Sequence, residues 1–482
     1  MINTSDAAVF AAAHDAWCSG APLRKARSRF KDFTYGRQWG DMIVTPSGHT
    51  MTEGEYSRVS GRTPQTNNII RQLVKTVVGR FRASLREKSD GSQPPLTPLL
   101  EETRRTNALD ELDARMLEEF LISGCAIQRV VSERRLHDSE ARVWVDNVSP
   151  SRFFVNRFRD PRGWDIELVG MLHDMSLTEA VMRFAHGDPE RRSLIVRALS
   201  SADFPSRLGG GGELGGVESP DFHIAPSGRC RVIEVWTLES REVLHIHDAA
   251  RGECYMVDAS ERQRVDEVNR HRHRQGRQTL ESRSDTTLVW RFRYFAPDGT
   301  LLDSGLSPYR HGSHPFVVKF FPMTDGEVHS FVEDVVDQQR HVNRLLTLLD
   351  HIMTFTAKGV LLYPISAKPK EYTWEQIVTQ WSCCNGVVPY VPTPTGDHKP
   401  AQIVSTGADA GAHKLLSLEL QLLDRISGVS GALRGENSHI TEGVAMYESR
   451  VENSLTALLD ILDTFGSFRT DRDRKVTHST IV

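Results

Sequence analysis

The stretch FVEDVVDQQRHVNRLLTLLDHI, residues 331–352, reads as one long helix with two unlike faces. Val332, Val335, Val342, Leu346 and Leu349, continued by Met353, recur at steps that put them on one side. Glu333, Asp337, Arg340, His341 and Arg344 occupy the other. The pattern extends from about 329 to 356, roughly 28 residues or about 42 Å at 1.5 Å per residue. Glu333 and Asp337 are like charges four apart, as are Arg340 and Arg344, and such pairs repel on an isolated helix by a few tenths of a kcal/mol each. The charged face therefore calls for partners outside the helix.

Working outward, the preceding segment is strand-rich. RVIEVWTLES and REVLHIHD read as strands, as do TLVWRFRYFAPDGTLLDSG and HPFVVKFF, with a polar helix over about 260–275 between the two groups. Earlier, NNIIRQLVKTVVGRFRASL from Asn67 places Ile70, Leu73, Val74, Val77, Phe81 and Leu85 on one helical face, with Asn67 or Asn68 as N-cap. A helical region over about 97–123 stops at Gly124, and CAIQRVVSERRL with ARVWVDNVSP reads as a strand pair. Ser176 and Glu179 form a capping box at the start of a short helix. After the long helix, KGVLLYPIS and NGVVPYVPTP look extended, helices follow over about 411–427 and 442–466, and TDRDRKVTHSTIV reads as a charged tail. The fold class is α+β.

A chain of 482 residues is long for one core, so two or more units are expected. Its 59 basic and 63 acidic residues give a formal charge of −4, unlike the strongly basic domain of a dedicated nucleic-acid binder. Cysteines stand at 18, 125, 230, 254, 383 and 384 with no CxxC pair, which suits a reduced, cytosolic setting. The start, MINTSDAAVFAAAHDAW, has no basic leader and does not read as a signal peptide. No apolar run has the length of a membrane span.

Chemistry-bearing motifs are weak throughout. The glycine-rich GGGGELGG within 208–220 has no GK[ST] ending and reads as a mobile loop. His245 and His247 share a strand face beside Asp248, but no third metal ligand is spaced to join them. Cys383 and Cys384 read as small buried residues before they read as a soft-metal pair. There is neither a GxSxG elbow nor an HExxH. No catalytic residue, metal or cofactor is expected. The basic run HRHRQGR, 271–277, with Arg270 before it, is the one local charge concentration: Arg270, Arg272, Arg274 and Arg277 with two histidines. It is either a solvated helix end offsetting the dipole or an electrostatic contact.

Four patches carry a resemblance. They are Tyr35-Gly36-Arg37-Gln38-Trp39, NNIIRQLVKTVVGRF (67–81), Asp337-Gln338-Gln339-Arg340 with Asn343, and GVSGALRGE with TEGVAMYESRVENS (428–454). Their order resembles that of the portal proteins of tailed bacteriophages. The resemblance implies a ring, usually of twelve copies, at one capsid vertex, made in the host cytoplasm and carried in the virion. It also implies partners: double-stranded DNA in a central channel, the large terminase, the major capsid protein and tail adaptor proteins, with no membrane. Mapped by order, it implies a wing over 1–255 and 357–428, a stem from helices at 256–275 and 329–356, a clip at 276–328 and a short crown at 429–482. DNA-channel candidates are then Arg340, Arg344, Lys358, Lys368 and Lys370. Intersubunit stem candidates are Glu333, Asp337, Arg340 and Arg344, and terminase or DNA contacts are Arg270, Arg272, Arg274 and Arg277. The competing readings are a nucleic-acid-processing enzyme whose site leaves no local motif, and a monomeric scaffold or adaptor.

Overall fold

Helices α1 (Asp6–Ser19) and α2 (Ala21–Thr34) open the chain, followed by the hairpin β1 (Met42–Val44) and β2 (Thr50–Thr52). Then come α3 (Glu53–Val59), α4 (Ile69–Ser89), α5 (Pro98–Thr106), α6 (Leu109–Ser123), β3 (Cys125–Glu133), β4 (Arg142–Asn147), β5 (Phe153–Val155) and β6 (Leu168–Met175). The middle holds α7 (Leu177–Phe184), α8 (Pro189–Ser200), β7 (Cys230–Asp248), β8 (Glu253–Asp258), α9 (Arg262–Arg274), β9 (Glu281–Phe295), β10 (Leu301–Leu306) and β11 (Phe316–Phe320). The last part comprises α10 (Phe331–Thr356), β12 (Val360–Leu362), α11 (Trp374–Ser382), β13 (Ala401–Ile403), α12 (Asp409–Ser427) and α13 (Leu459–Thr477). This computed structural model describes residues 5–89, 98–135, 141–200, 221–248, 253–275, 277–356, 360–382, 387–392, 400–403, 409–429, 456 and 458–478. The glycine-rich 208–220, Lys358, Cys383, Cys384 and nearly all of the fourth patch lie outside the described residues.

The mixed helix-and-strand class stands, and the chain forms two compact units. The first gathers Met1–Arg29, Val78–Ser330 and Leu458–Val482; the second gathers Phe30–Val77 and Phe331–Ala457.

In the first unit one strand sets the architecture. RVIEVWTLES and REVLHIHD are not two strands but the continuous 19-residue β7. It runs antiparallel to β9 from Ile233↔Phe295 to His247↔Glu281. β7 can be this long because its surroundings change along it. Its first half pairs β6 and is buried, while its second half pairs β8 and alternates buried Leu244 and Ile246 with exposed His245 and His247. β9 turns into β10 through Pro297-Asp298-Gly299, where Gly299 takes φ 84°. A second sheet, in the order β11-β3-β4, includes the expected strand pair.

Sequence boundaries at 255/256 and 275/276 are therefore not edges of compact units. The ladder ties 281–295 to 230–248, and β11 ties 316–320 to β3. The helical region expected over 97–123 also divides, because Asn107 leaves the helix to bond β4. Its Nδ2 donates to Val143 O at 3.0 Å and its Oδ1 accepts from Val145 N at 3.0 Å.

Buried charge joins the two sheets. Glu234 on β7 accepts from Arg129 on β3 at 3.2 Å and from Trp236 Nε1 at 2.8 Å, with His173 Nε2 on β6 at 2.6 Å. Burial pushes the Glu234 carboxyl up, but Arg129 and His173 more than offset it and hold it low. The segment read as a charged tail is mostly helix α13, because Ile461, Phe465, Phe468, Arg472 and Val476 form one buried stripe. Arg472 is tolerated there because it meets the fully buried Asp113 of α6, which also accepts from Arg469 at 2.8 Å.

Close approach fixes one glycine. A Cβ on Gly170 of β6 would stand 2.3 Å from Glu234 O and 2.3 Å from the Phe154 ring. Gly170→Ala should destabilise the first unit by about 1–3 kcal/mol, as overpacking does, lowering the midpoint of chemical denaturation. Gly187→Ala, with open space around it but φ 81°, should cost less.

Candidate functional site

The long helix does two jobs inside the second unit. Gln339, Asn343 and Thr347 recur every four residues and form a buried polar stripe beside the apolar one. The Gln339 Oε1 accepts from the backbone N–H groups of Ile69 at 3.0 Å and Ile70 at 3.3 Å, the first donors of α4. Those donors have no partner within α4 itself, so a residue 270 positions away caps the helix. Its Nε2 donates to Asn67 O at 2.6 Å and Asn343 Oδ1 at 3.1 Å. Asn343 Oδ1 also accepts from Asn67 N at 3.1 Å, and its Nδ2 donates to Gln38 Oε1 at 2.5 Å. Gln38 in turn donates to Phe33 O at 2.7 Å and Asn68 Oδ1 at 3.1 Å. Thr347 Oγ1 accepts from Gln65 N at 3.0 Å, and Trp39 Nε1 donates to Thr66 Oγ1 at 3.0 Å. Three of the four sequence patches thus converge on one network.

The charged face has its own partner. Glu53, at the first turn of α3, is 5% exposed. It accepts from Arg340 Nε at 2.8 Å and from Arg344 Nε, while Arg340 also lies 3.8 Å from Asp41. The repulsion between Arg340 and Arg344 is therefore offset within the chain, which corrects the argument that these two need a neighbouring subunit. Glu333 and Asp337 are exposed about two turns and one turn before Arg340. His341 lies 3.6 Å from Glu419 of α12, the helix packed alongside.

Helix α9 also proves better anchored than its sparse apolar content suggested. Val265 is buried with Leu244, Ile246 and Leu280. Asn269 bonds both the N–H and the carbonyl of Leu280, at 2.7 and 3.0 Å. Arg272 makes a bidentate pair with the buried Asp248, at 3.0 and 2.7 Å, so it belongs to the packing and not to a free basic patch. Arg270, Arg274 and Arg277 are exposed. Lys368 is half-buried with Nζ 5.3 Å from the Trp374 ring centroid, and Lys370 is exposed. His245 and His247 line an exposed strand face, 3.5 Å from Asp285 and 3.6 Å from Glu281. No group of three metal-ligating side chains occurs among the described residues, and no helix among them is long and apolar enough to cross a membrane.

The family model described as phage P22-like portal protein matches residues 10–472. The chain belongs to that family. Portal proteins are head–tail connectors of phages, structural proteins that assemble as rings in the capsid, and the family places this portal protein in the virion. A comparison with curated proteins finds no match.

Within this portal protein, Glu53 and Asp41 are the site residues that sequence reading missed. The neighbouring signal was legible, since Thr52 and Glu55 form a complete capping box that fixes the start of α3. What that box aims at Arg340 and Arg344 was not.

Replacing Gln339 by Leu leaves two α4 N–H donors and Asn67 O without their partner. It should cost about 1–3 kcal/mol of stability per group left buried and unsatisfied, read as loss of protection of the α4 amides in hydrogen exchange. Glu53→Ala should loosen the second unit while Asp337→Asn leaves its unfolding midpoint unchanged, which thermal melts would separate.

Proposed function

We propose that this chain is one subunit of a ring, of twelve copies, through which double-stranded DNA enters the head during packaging and leaves it on ejection. The observation that carries the proposal is the family match over nearly the full chain. In this reading the ring contacts the major capsid protein, docks the large terminase during packaging and receives the tail adaptors afterwards. It hydrolyses nothing itself, the packaging motor being a separate ATPase. Helices α9 and α10 form the stem, the strands between them the clip, the segments on either side the wing, and a short crown follows.

The charge pattern supports a division of labour. At 26 residues, or roughly 39 Å, α10 is long enough to line much of a channel wall. Its Arg340 and Arg344 hold Glu53 and fix the helix on its own unit, and the exposed Asp337, a turn earlier on the same face, is the acid we assign to the contact with a neighbouring copy. Of the channel candidates within the described residues, Arg340 and Arg344 are engaged by Glu53, so we favour Lys368 and Lys370. The exposed Arg270, Arg274 and Arg277 at the end of α9 suit an acidic surface of the terminase or the DNA phosphates, contacts that weaken steeply with salt.

Light scattering with negative-stain imaging should show rings; particles of one or two subunits would sink the proposal. Changing Arg270, Arg274 and Arg277 together to alanine, with Arg272 kept because it packs on Asp248, should leave ring assembly intact and reduce packaging several-fold. Packaging at the parental level would leave these arginines only a helix-end role. Asp337→Lys should impair ring formation without lowering the melting midpoint of the subunit, and rings formed as readily as by the parent would rule out the intersubunit role.

A further inference from the structure

The turn before β11 is folded by two neutral imidazoles. Ser313 N donates to His311 Nδ1 at 3.0 Å, and Phe316 N donates to His314 Nδ1 at 3.2 Å. In each ring the proton therefore sits on Nε2, and the atom open to a second proton is the one accepting from the backbone. His314 is buried, its ring edge-on to Trp290 with centroids 4.6 Å apart, and His311 Nε2 is buried without a hydrogen-bond partner.

The last turn of α13 grips the same segment, 311–316. Lys475 Nζ donates to His314 O at 2.7 Å and to Phe316 O at 2.5 Å, and stands 3.5 Å from His314 Nδ1. A proton added to His314 Nδ1 would remove the Phe316 N–H bond and set two cations side by side. A proton added to His311 Nδ1 would remove the Ser313 N–H bond. We propose that His311, His314 and Lys475 form an acid-sensitive latch that holds the C-terminal end of α13 on the first unit.

The other groups around the turn do not cancel this. Asp471 on α13 favours the charged Lys475, but it is shared with Lys319 and Arg474, each at 3.7 Å. His478 adds a further repulsion on His311. Tyr309, stacked on His311, has its phenol pushed up by burial and is neutral, and Arg129 is engaged by Glu234 while Glu133 pairs with Arg135.

The direction follows from linkage. Burial, then Lys475, lowers His311 to about 4 from 6.5 and lowers His314 well below 6.5. The released turn thus binds protons more readily than the docked one. The histidine contribution to docking is at full strength above 6.5 and is lost as pH falls through that value towards 4. Burial lowers Lys475 to about 7 from 10.5, so its contribution changes between those two values and is constant below them. The acid-side dependence belongs to the histidines.

Hydrogen exchange of the full-length chain, corrected for intrinsic rates, tests this. Between about pH 7.5 and about pH 5 the opening equilibrium of peptides covering 309–316 and 470–478 should rise roughly 25-fold from His311 alone, while α6 amides stay unchanged. The His311→Asn/His314→Asn double variant keeps an acceptor at each position but does not titrate, so its rise should shrink to about 4-fold, the share left to Lys475. An equal rise in that variant overturns the latch. So does a parental profile that is flat between 6.5 and 5, whether or not the variant folds.

Discussion

A primary amide buried in a protein carries two donors and an acceptor, and leaving any of them without a partner costs about as much as a hydrogen bond gains. Gln339 meets that constraint by standing where α10, the segment before α4 and the start of α4 come within hydrogen-bond reach. Asn343 extends the same arrangement to Gln38. The second unit has few ways to satisfy these groups together, and each fixes a neighbour: the register of α10 sets the cap of α4, and Gln38 sets the path of the chain leaving α2. An apolar stripe alone would hold α10 on its neighbours but would let it slide by a turn. Amide geometry removes that freedom, since hydrogen bonds weaken sharply with misalignment.

The first unit is governed by a different constraint, backbone pairing. β7 and β9 share a ladder whose one half lies in the body of the sheet and whose other half carries α9 on one face and His245 and His247 on the other. Position within the ladder decides side-chain chemistry. Where β7 is covered on both faces it can hold Glu234 only because Arg129 and His173 reach it; where one face is open it alternates.

Charge on a helix surface proved ambiguous for a physical reason. Spacing tells which charges share a face, but a like-charged pair can be offset by any acid that the fold brings near, from the same chain or another. Glu53 does this for Arg340 and Arg344, and Asp248 for Arg272. On the exposed Arg270, Arg274 and Arg277 at the end of α9 and the exposed Asp337 of α10, a test for a partner outside the chain is still informative.

By itself the sequence determined the mixed class, the positions of α4, α9, α10 and α12, the β3–β4 pair and the extended stretch that holds β9 and β10, because each rests on local periodicity, turn residues or a glycine stop. It also carried the family resemblance, through residues whose identity matters: Gln38, Asn67, Asn68, Gln339 and Asn343 are the network itself. Only the tertiary structure decided what they bond, because the bonds that Gln339 and Asn343 make to Ile69, Asn67 and Gln38 span some 270 or more positions and hydrogen-bond geometry leaves no trace in spacing. It likewise turned the supposed tail into α13. A run of charges looks solvated until a buried carboxylate such as Asp113 is found waiting for it, and that carboxylate sits about 360 residues earlier in the chain.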